Sequence, residues 1–238
     1  MAVAFVAERA EDADTTNASS YVIGSAFTPT AGNLLIMVIT ATDSAADFGI
    51  TSIAETGQDL TWNLIANLNR DNGTVFVDHS VYWAIPTAST EVTTITVTFG
   101  ESVTGCTGWI GEFSGQHATV PILAGQLTSG EIASGTESPA MSLPSATQSD
   151  GMAVFASTVI RNPAAWDSSG DGWTEHADTG HPTPANGTYV ASKAGASAQS
   201  ISYTGTNGGS GGIMFEIAAA AVGGGTTHPG WVGDIGWF

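Results

Sequence analysis

A five-part pattern of strand-like segments occurs twice in this chain of 238 residues, in the same order each time. The offset between the copies falls from 119 residues between Gly32 and Gly151 to 104 residues between Ile110 and Met214. Loops shortened between retained strands would produce this gradual change. The pattern predicts two small domains or one sandwich with a shared core, and we favour one sandwich with pseudo-twofold character. The matched segments are residues 32–38 with 151–156, 57–62 with 169–173, 72–76 with 186–190, 95–100 with 201–205, and 110–113 with 214–217.

The segments themselves have the composition of β-strands. They are short runs rich in Val, Ile, Thr, Tyr and Phe, separated by Gly, Asn, Asp and Pro. No segment of helical length carries an apolar stripe with capping residues. The sequence therefore predicts an all-β fold with very low helix content, a jelly-roll-like or Ig-like β-sandwich built from two pseudo-repeats. We expect the sandwich to span residues 1–220, with half-repeats at about 1–116 and 140–220.

The connection between the copies also has strand character. Residues 120–123 and 141–144 are short apolar stretches that each contain a proline. Proline in a sheet is confined mainly to edges, where its missing N–H does not interrupt a ladder. We therefore expect two short edge strands here rather than a free linker.

The charge balance limits the choice of partners. Four Lys or Arg face twenty-two Asp or Glu, which gives a formal net charge of −18. Such a surface repels phosphate backbones and anionic lipid headgroups. The composition therefore argues against nucleic acid and membrane surfaces as partners.

The amino terminus and the single cysteine bear on the cellular location. Residues 1–8 have no basic region and only a brief apolar run, so they are interpreted as a first strand rather than a secretory signal. No stretch reaches the ~18 apolar residues of a membrane span. Cys106 has no second cysteine to pair with. We expect a soluble protein that is made in a cytoplasm without a signal peptide.

Residue types that serve catalysis do not form a known arrangement. No Gly-x-Ser-x-Gly motif occurs, no phosphate-binding loop is present, and Cys106 has no basic neighbour in sequence to lower its pKa. Glu112 and Glu216 occupy matching positions inside apolar strands. Because alternate residues of a strand face opposite sides, we expect both carboxylates to point outward rather than to converge in a cleft. The sequence predicts no catalytic residues and no cofactor.

Two segments contain residues that bind metals in other proteins. His176, Asp178 and His181 form a mixed nitrogen and oxygen set, and residues 167–172 form an acidic, glycine-containing turn. Neither spacing fits a strong ligand motif, so no metal site is predicted, although an ion in the 167–181 loop stays an open alternative. Three Asn-x-Ser/Thr sequons, at Asn17, Asn72 and Asn186, are interpreted as turn asparagines.

The seven tryptophans permit a second type of function, carbohydrate binding on aromatic platforms. Trp62 and Trp173 recur at matched positions of the two copies, which favours packing in a core or corner. Trp83 lies within an alternating strand and is also expected in the core. Trp166, in the segment 163–167, is the candidate for an exposed glycan platform.

The arrangement of motifs resembles a domain family of tailed-phage structural proteins, which includes minor tail, fibre-associated and head-decoration proteins. The resemblance covers roughly residues 1–220. It implies a non-enzymatic virion component at the virion surface, synthesised in the host cytoplasm, with other capsid or tail proteins as partners and a homo-oligomeric assembly. Carbohydrate binding for host attachment is the alternative. The motifs are residues 32–36, 57–62, 81–84, 94–98 and 109–115.

The last eighteen residues differ from the rest. Gly223, Gly224 and Gly225 form a flexible hinge, and an apolar arm follows it. The arm's large side chains cannot form a core of their own, so another surface must cover them. We predict that the arm folds back on its own sandwich or, as we favour, binds a neighbouring subunit. The predicted contact residues are Trp231, Val232, Ile235, Trp237 and Phe238.

Overall fold

A computed structural model of the chain describes residues 1–44, 48–71, 75–92, 94–132, 140–160, 172–182, 185–195, 198–202 and 210–220. The described residues form fifteen β-strands and no helix, which confirms the predicted all-β fold class. The strands are β1 (Ala4–Asp14), β2 (Ala18–Val22), β3 (Leu34–Asp43), β4 (Ile50–Thr56), β5 (Asn63–Asp71), β6 (Phe76–Ala84), β7 (Thr94–Val103), β8 (Gly105–Ser114), β9 (Ile122–Ile132), β10 (Ala140–Ala146), β11 (Met152–Ile160), β12 (Thr174–Pro182), β13 (Ala185–Ala194), β14 (Ala198–Ser202) and β15 (Ser210–Ile217).

The two copies of the sequence pattern build sheets with the same strand order. The first five-stranded sheet has the order β1-β8-β3-β6-β5, and the second has the order β9-β15-β11-β13-β12 when read from its matching edge. A smaller sheet accompanies each one, β2-β7-β4 in the first copy and β10-β14 in the second. Each strand of the second copy therefore has a counterpart in the first, as the internal repeat predicted.

The sheets stack in four layers with three apolar cores between them. The central core lies between the two five-stranded sheets and contains Leu34 and Ile36 from β3 together with Val154 from β11. The outer cores lie between each five-stranded sheet and its smaller partner. Strand β1 contacts β12 and β5 contacts β9, which are the contacts that a pseudo-twofold axis would relate. The molecule thus contains two sandwiches joined through a shared central core.

This layering explains the continuous apolar runs of β3 and β11. Every residue of β3 is buried, because one face packs in the central core and the other packs in an outer core. A strand covered on both faces loses the alternation of apolar and polar residues. The run at residues 34–42 therefore marks a central strand of a four-layer stack.

The register of the strands confirms that Trp62 and Trp173 occupy equivalent positions in the two copies of the repeat. Each precedes its edge strand by one residue, and each edge strand is irregular at the same place, after Leu64 in β5 and after Glu175 in β12. The predicted match of residues 72–76 with 186–190 is wrong. Asn186 lies within β13, fully buried, and is not a turn asparagine.

The predictions for the amino terminus and for the connection between the copies agree with the structure in most respects. Residues 4–8 begin β1, and the connection forms strands as predicted, with β9 at the edge of a five-stranded sheet and β10 in a two-stranded sheet. Strand β9 is eleven residues long, however, and not a short strand. Among the described residues, no helix is long and apolar enough to cross a membrane.

Candidate functional site

The Glu112 carboxylate, one of the two candidates for acid–base chemistry, is fully buried and holds a loop in place. It accepts hydrogen bonds from Arg9 Nε at 2.8 Å and from Asn33 Nδ2 at 2.5 Å. The backbone N–H of Thr30 also donates to it, at 3.3 Å. Burial alone would raise the pKa of Glu112, but these hydrogen bonds together outweigh it and hold the pKa below its usual value.

Glu216 occupies the matching position and makes the matching backbone contact. It pairs with Ala153 as Glu112 pairs with Leu35, and its Oε1 accepts the N–H of Gln148 at 2.7 Å. Both carboxylates therefore anchor the loop that precedes a central strand. In contrast to Glu112, the buried Oε2 of Glu216 has no hydrogen-bond partner, and burial raises the pKa of this carboxyl despite the hydrogen bond from Gln148.

The prediction that Glu112 and Glu216 point outward is wrong, since both are fully buried. A side chain on a strand reaches solvent only when the face of the sheet from which it projects is open. Here both faces of both five-stranded sheets are covered by another layer. The two carboxylates are loop anchors in separate copies of the repeat.

Matched substitutions distinguish the two anchors. We expect Glu112→Gln to lower the free energy of unfolding at neutral pH by about 1–3 kcal/mol, because it leaves the charge-assisted bond from Arg9 unmade. Glu216→Gln should leave stability unchanged or raise it, because it removes a buried charge whose second oxygen is unpaired. Urea unfolding at pH 7 measures both values. Equal losses for the two variants would contradict this assignment.

The cysteine and two of the histidines also pack within the fold. Cys106 lies in β8 and is buried, and burial raises the pKa of its thiol. The His176 ring stacks on Phe5 with centroids 3.8 Å apart, and its Nε2 lies 2.7 Å from Ser192 Oγ. His181 is buried against Gly105.

In the described part of the chain, no group of three or more His, Cys, Asp or Glu side chains is placed to hold a metal ion. His176 stacks on Phe5, whereas His181 packs against Gly105. Of the turn at residues 167–172, only Gly172 lies in the described part.

A cavity of about 200 Å³ opens where β5 ends and β6 begins. Its most buried acid is Asp78, whose Oδ1 accepts hydrogen bonds from Asn67 Nδ2 at 2.9 Å and from Ser80 Oγ at 2.6 Å. Burial raises the pKa of this carboxyl. Residues 45–47 and 72–74, which neighbour the lining residues in the sequence, lie outside the described residues, and we assign no site there. Its lining residues are Phe48, Gly49, Asn69, Arg70, Asp71, Phe76, Val77 and Asp78.

The two matched tryptophans have different surroundings. Trp173 is buried under the smaller sheet of the second copy, where its indole N–H donates to the Ser200 carbonyl at 2.9 Å and its ring meets Phe155 edge-on. Trp62 is only partly buried. The expectation that Trp62 is a core residue like its counterpart is therefore only partly correct, and Trp83 is likewise partly buried.

Trp62 lines an open groove between the edge strand β4 and the adjoining end of the first five-stranded sheet. The groove combines partly exposed aromatic and aliphatic side chains with four hydroxyl groups. Sequence reasoning missed this groove because the repeat pointed to packing for Trp62. Its lining residues are Ile50, Thr51, Ser52, Ile53, Leu60, Thr61, Trp62 and Tyr82.

A backbone turn shapes the floor of the groove. The Glu55 carboxylate accepts the N–H of Leu60, which fixes the turn that presents Leu60, Thr61 and Trp62. Burial raises the pKa of Glu55. The same carboxylate that closes the turn thus lies beside the indole of Trp62.

The edges of the described sheets differ in charge. Strand β1 forms one edge of the first large sheet and carries Glu8, Glu11, Asp12 and Asp14. It faces Asp178 of β12, and the pKa of Glu11 is raised by burial and by the neighbouring acids Glu8 and Asp178. Charged edges discourage pairing with another chain. Strand β4, in contrast, has one acidic residue, Glu55, and that carboxylate is bonded within its own turn.

Two predicted binding elements lie outside the described residues. They are the glycan platform at Trp166 and the arm at residues 226–238, with Trp231, Val232, Ile235, Trp237 and Phe238. The groove at Trp62 is therefore the candidate binding surface within the described part of the chain.

No protein-family model matches the chain, and no curated protein or solved structure is significantly similar to it.

Proposed function

We propose that this chain is a non-enzymatic structural component of a tailed-phage virion, of the head-decoration or minor tail type, that binds neighbouring virion subunits. It would lie at the virion surface and be made in the host cytoplasm. The proposal begins from the sequence resemblance. The described residues support the proposal because the side chains that carry this resemblance pack in the core or hold loops in place.

The motif at residues 109–115 illustrates this use. Trp109 and Phe113 are fully buried in the central core, and Glu112 anchors the loop before β3. Gly115 has a φ of 79°, and an added Cβ would lie 2.2 Å from the Ala2 carbonyl. A motif whose residues all serve packing and loop anchoring supports a scaffold protein more than an enzyme. This is the observation that carries the proposal.

The experiment compares phage particles purified from cell lysates. The cells express either the full chain or a chain that ends at residue 225. We expect quantitative mass spectrometry to find the full chain in a fixed ratio to the major capsid or tail protein. The truncated chain should be soluble and folded but absent from the particles, because buried aromatic side chains dominate the energy of protein interfaces. Absence of the full chain from particles would refute the proposal.

Carbohydrate binding is the second candidate, and the aromatic rings and hydroxyl groups of the groove at Trp62 are the observation behind it. Trp62 and Tyr82 supply partly exposed aromatic rings, and Thr51 and Thr61 supply hydroxyl groups beside them. A glycan array separates the two functions. A structural subunit should show no sugar preference, whereas an attachment module should bind a defined glycan, and Trp62→Ser should abolish that signal.

A further inference from the structure

The groove at Trp62 adjoins a strand edge that is open to pairing. Strand β4 is the last strand of the sheet β2-β7-β4, and no described strand pairs with its outer edge. The free N–H and C=O groups of such an edge favour an extended segment of another chain. The described acidic edge at β1 is protected by its charges, whereas β4 is not.

The chemistry of the groove favours an apolar peptide over a glycan. Five of the eight lining residues are apolar or aromatic, and the polar side-chain groups of the lining are the hydroxyls of Thr51, Ser52, Thr61 and Tyr82 and the indole N–H of Trp62. A peptide strand added to β4 would bond through its backbone and would place alternate side chains against Trp62 and Tyr82.

The carboxy-terminal arm has the complementary composition. Residues 226–238 contain five large apolar side chains and a single acidic residue, Asp234, with no Lys or Arg. The arm therefore lacks the positive charge that would draw it to the acidic edge at β1. An apolar, nearly uncharged segment fits the neutral groove.

The length of chain before the arm sets how far the arm can reach. Ala220 N–H donates to the Gly115 carbonyl, beside the end of β8. Strand β8 lies three strand spacings from β5, which is roughly 14 Å. Trp231, the first large apolar residue of the arm, comes eleven residues after Ala220, and such a segment spans up to about 37 Å. The segment is therefore long enough to reach the chain's own groove and also a groove on an adjacent copy, and the choice of the second copy follows from the proposed binding of neighbouring subunits.

We propose that the groove formed by β4, Trp62 and Tyr82 binds residues 226–238 of a second copy of this chain. The inference rests on the proposed structural function and names the partner of its arm. Each copy supplies one arm and one groove, so two copies can exchange arms in a closed dimer, or successive copies can form a larger ring or a chain.

The test uses four proteins: the full chain, the full chain with Trp62→Ser, the full chain with Val22→Ser, and the chain ending at residue 225. The truncated chain retains all fifteen strands and all three cores, which lie within residues 1–220. Val22 is the matched control, because it is an apolar residue, 47% exposed, on the opposite edge strand of the same small sheet.

Sedimentation equilibrium should show a mass that rises with concentration for the full chain and for Val22→Ser. The Trp62→Ser chain and the truncated chain should each remain monomeric. Mixing these two should restore a 1:1 complex, because one contributes the arm and the other the groove. A synthetic peptide of residues 226–238 should bind the truncated chain, and Trp62→Ser in that chain should weaken binding at least about tenfold.

Three results would overturn the inference. A full chain that stays monomeric while the peptide binds the truncated chain places the arm in its own groove. A peptide that fails to bind the truncated chain, or binds equally well after Trp62→Ser, excludes the groove. Particle incorporation that needs residues 226–238 but tolerates Trp62→Ser rejects this inference and leaves the proposed virion function standing.

Discussion

Replacing Trp109 with alanine is expected to lower the free energy of unfolding by about 3–5 kcal/mol. Trp109 is fully buried in the core that joins the two five-stranded sheets. Its ring stacks near Phe5, with centroids 6.4 Å apart, and near His176, at 6.2 Å. Loss of this side chain leaves a cavity between the two copies of the repeat. Chemical unfolding followed by circular dichroism measures the change.

A double-mutant cycle tests the packing more sharply. An added Cβ on Gly111 would lie 2.1 Å from Cη2 of Trp109, so Gly111→Ala alone should cost about 1–3 kcal/mol through overpacking. In the Trp109→Ala background the same substitution should cost almost nothing. Trp62→Ala, at a partly exposed site, is the control and should cost clearly less than Trp109→Ala. An unchanged cost of Gly111→Ala in both backgrounds would contradict the assigned contact.

Acidification from pH 7 to 4.5 is expected to destabilise the protein through His79. This side chain is fully buried, and burial lowers its pKa from 6.5 to about 4. The unfolded chain therefore takes up a proton near pH 6.5 that the folded chain resists, so stability falls as the pH drops from about 6.5 towards 4. The shift corresponds to roughly 3 kcal/mol when it is fully expressed.

The structure gives His79 a specific reason to remain neutral. Thr40 Oγ1 lies 2.8 Å from His79 Nδ1, and Thr188 donates to Thr40 across the two sheets at 2.8 Å. Thr107 Oγ1 lies 2.6 Å from the Thr188 hydroxyl. The neutral tautomer with its hydrogen on Nε2 would accept from Thr40 at Nδ1, whereas the protonated ring donates at both nitrogens. Protonation would therefore place a positive charge beside the buried threonine hydroxyls that link the two copies of the repeat.

The measurement is urea unfolding at several pH values between 7 and 4.5. The wild-type protein should lose about 2 kcal/mol more over this range than His79→Gln, which cannot take up the proton. His117→Gln, in the partly exposed loop after β8, is the matched control for the loss of a histidine side chain outside the buried core. Parallel curves for wild type and His79→Gln would show that His79 does not carry the acid response.

Local sequence determined the secondary structure and the repeat. Alternation in the segment 92–99 and the continuous run at 34–42 depend on strand geometry and burial, which are encoded within a few residues of each other. The order of matched segments was preserved in the order of strands in both large sheets. The alignment was wrong at Asn186. The tripeptide Asn-Gly-Thr occurs at residues 72–74 and 186–188, and this local match was aligned although the strands that pair with β13 come from elsewhere in the chain and set a different register.

Tertiary structure alone decided which faces are covered and by what. Glu112 and Glu216 occupy positions that strand periodicity assigns to an outer face, yet both are fully buried and hold the loops before the central strands. Trp62 and Trp173 occupy equivalent positions in the two copies of the repeat, but Trp62 lines an open groove whereas Trp173 is buried. The physical reason is that periodicity specifies the direction of a side chain relative to its own strand. What lies in that direction depends on segments distant in the chain, and so on the packing of the whole molecule.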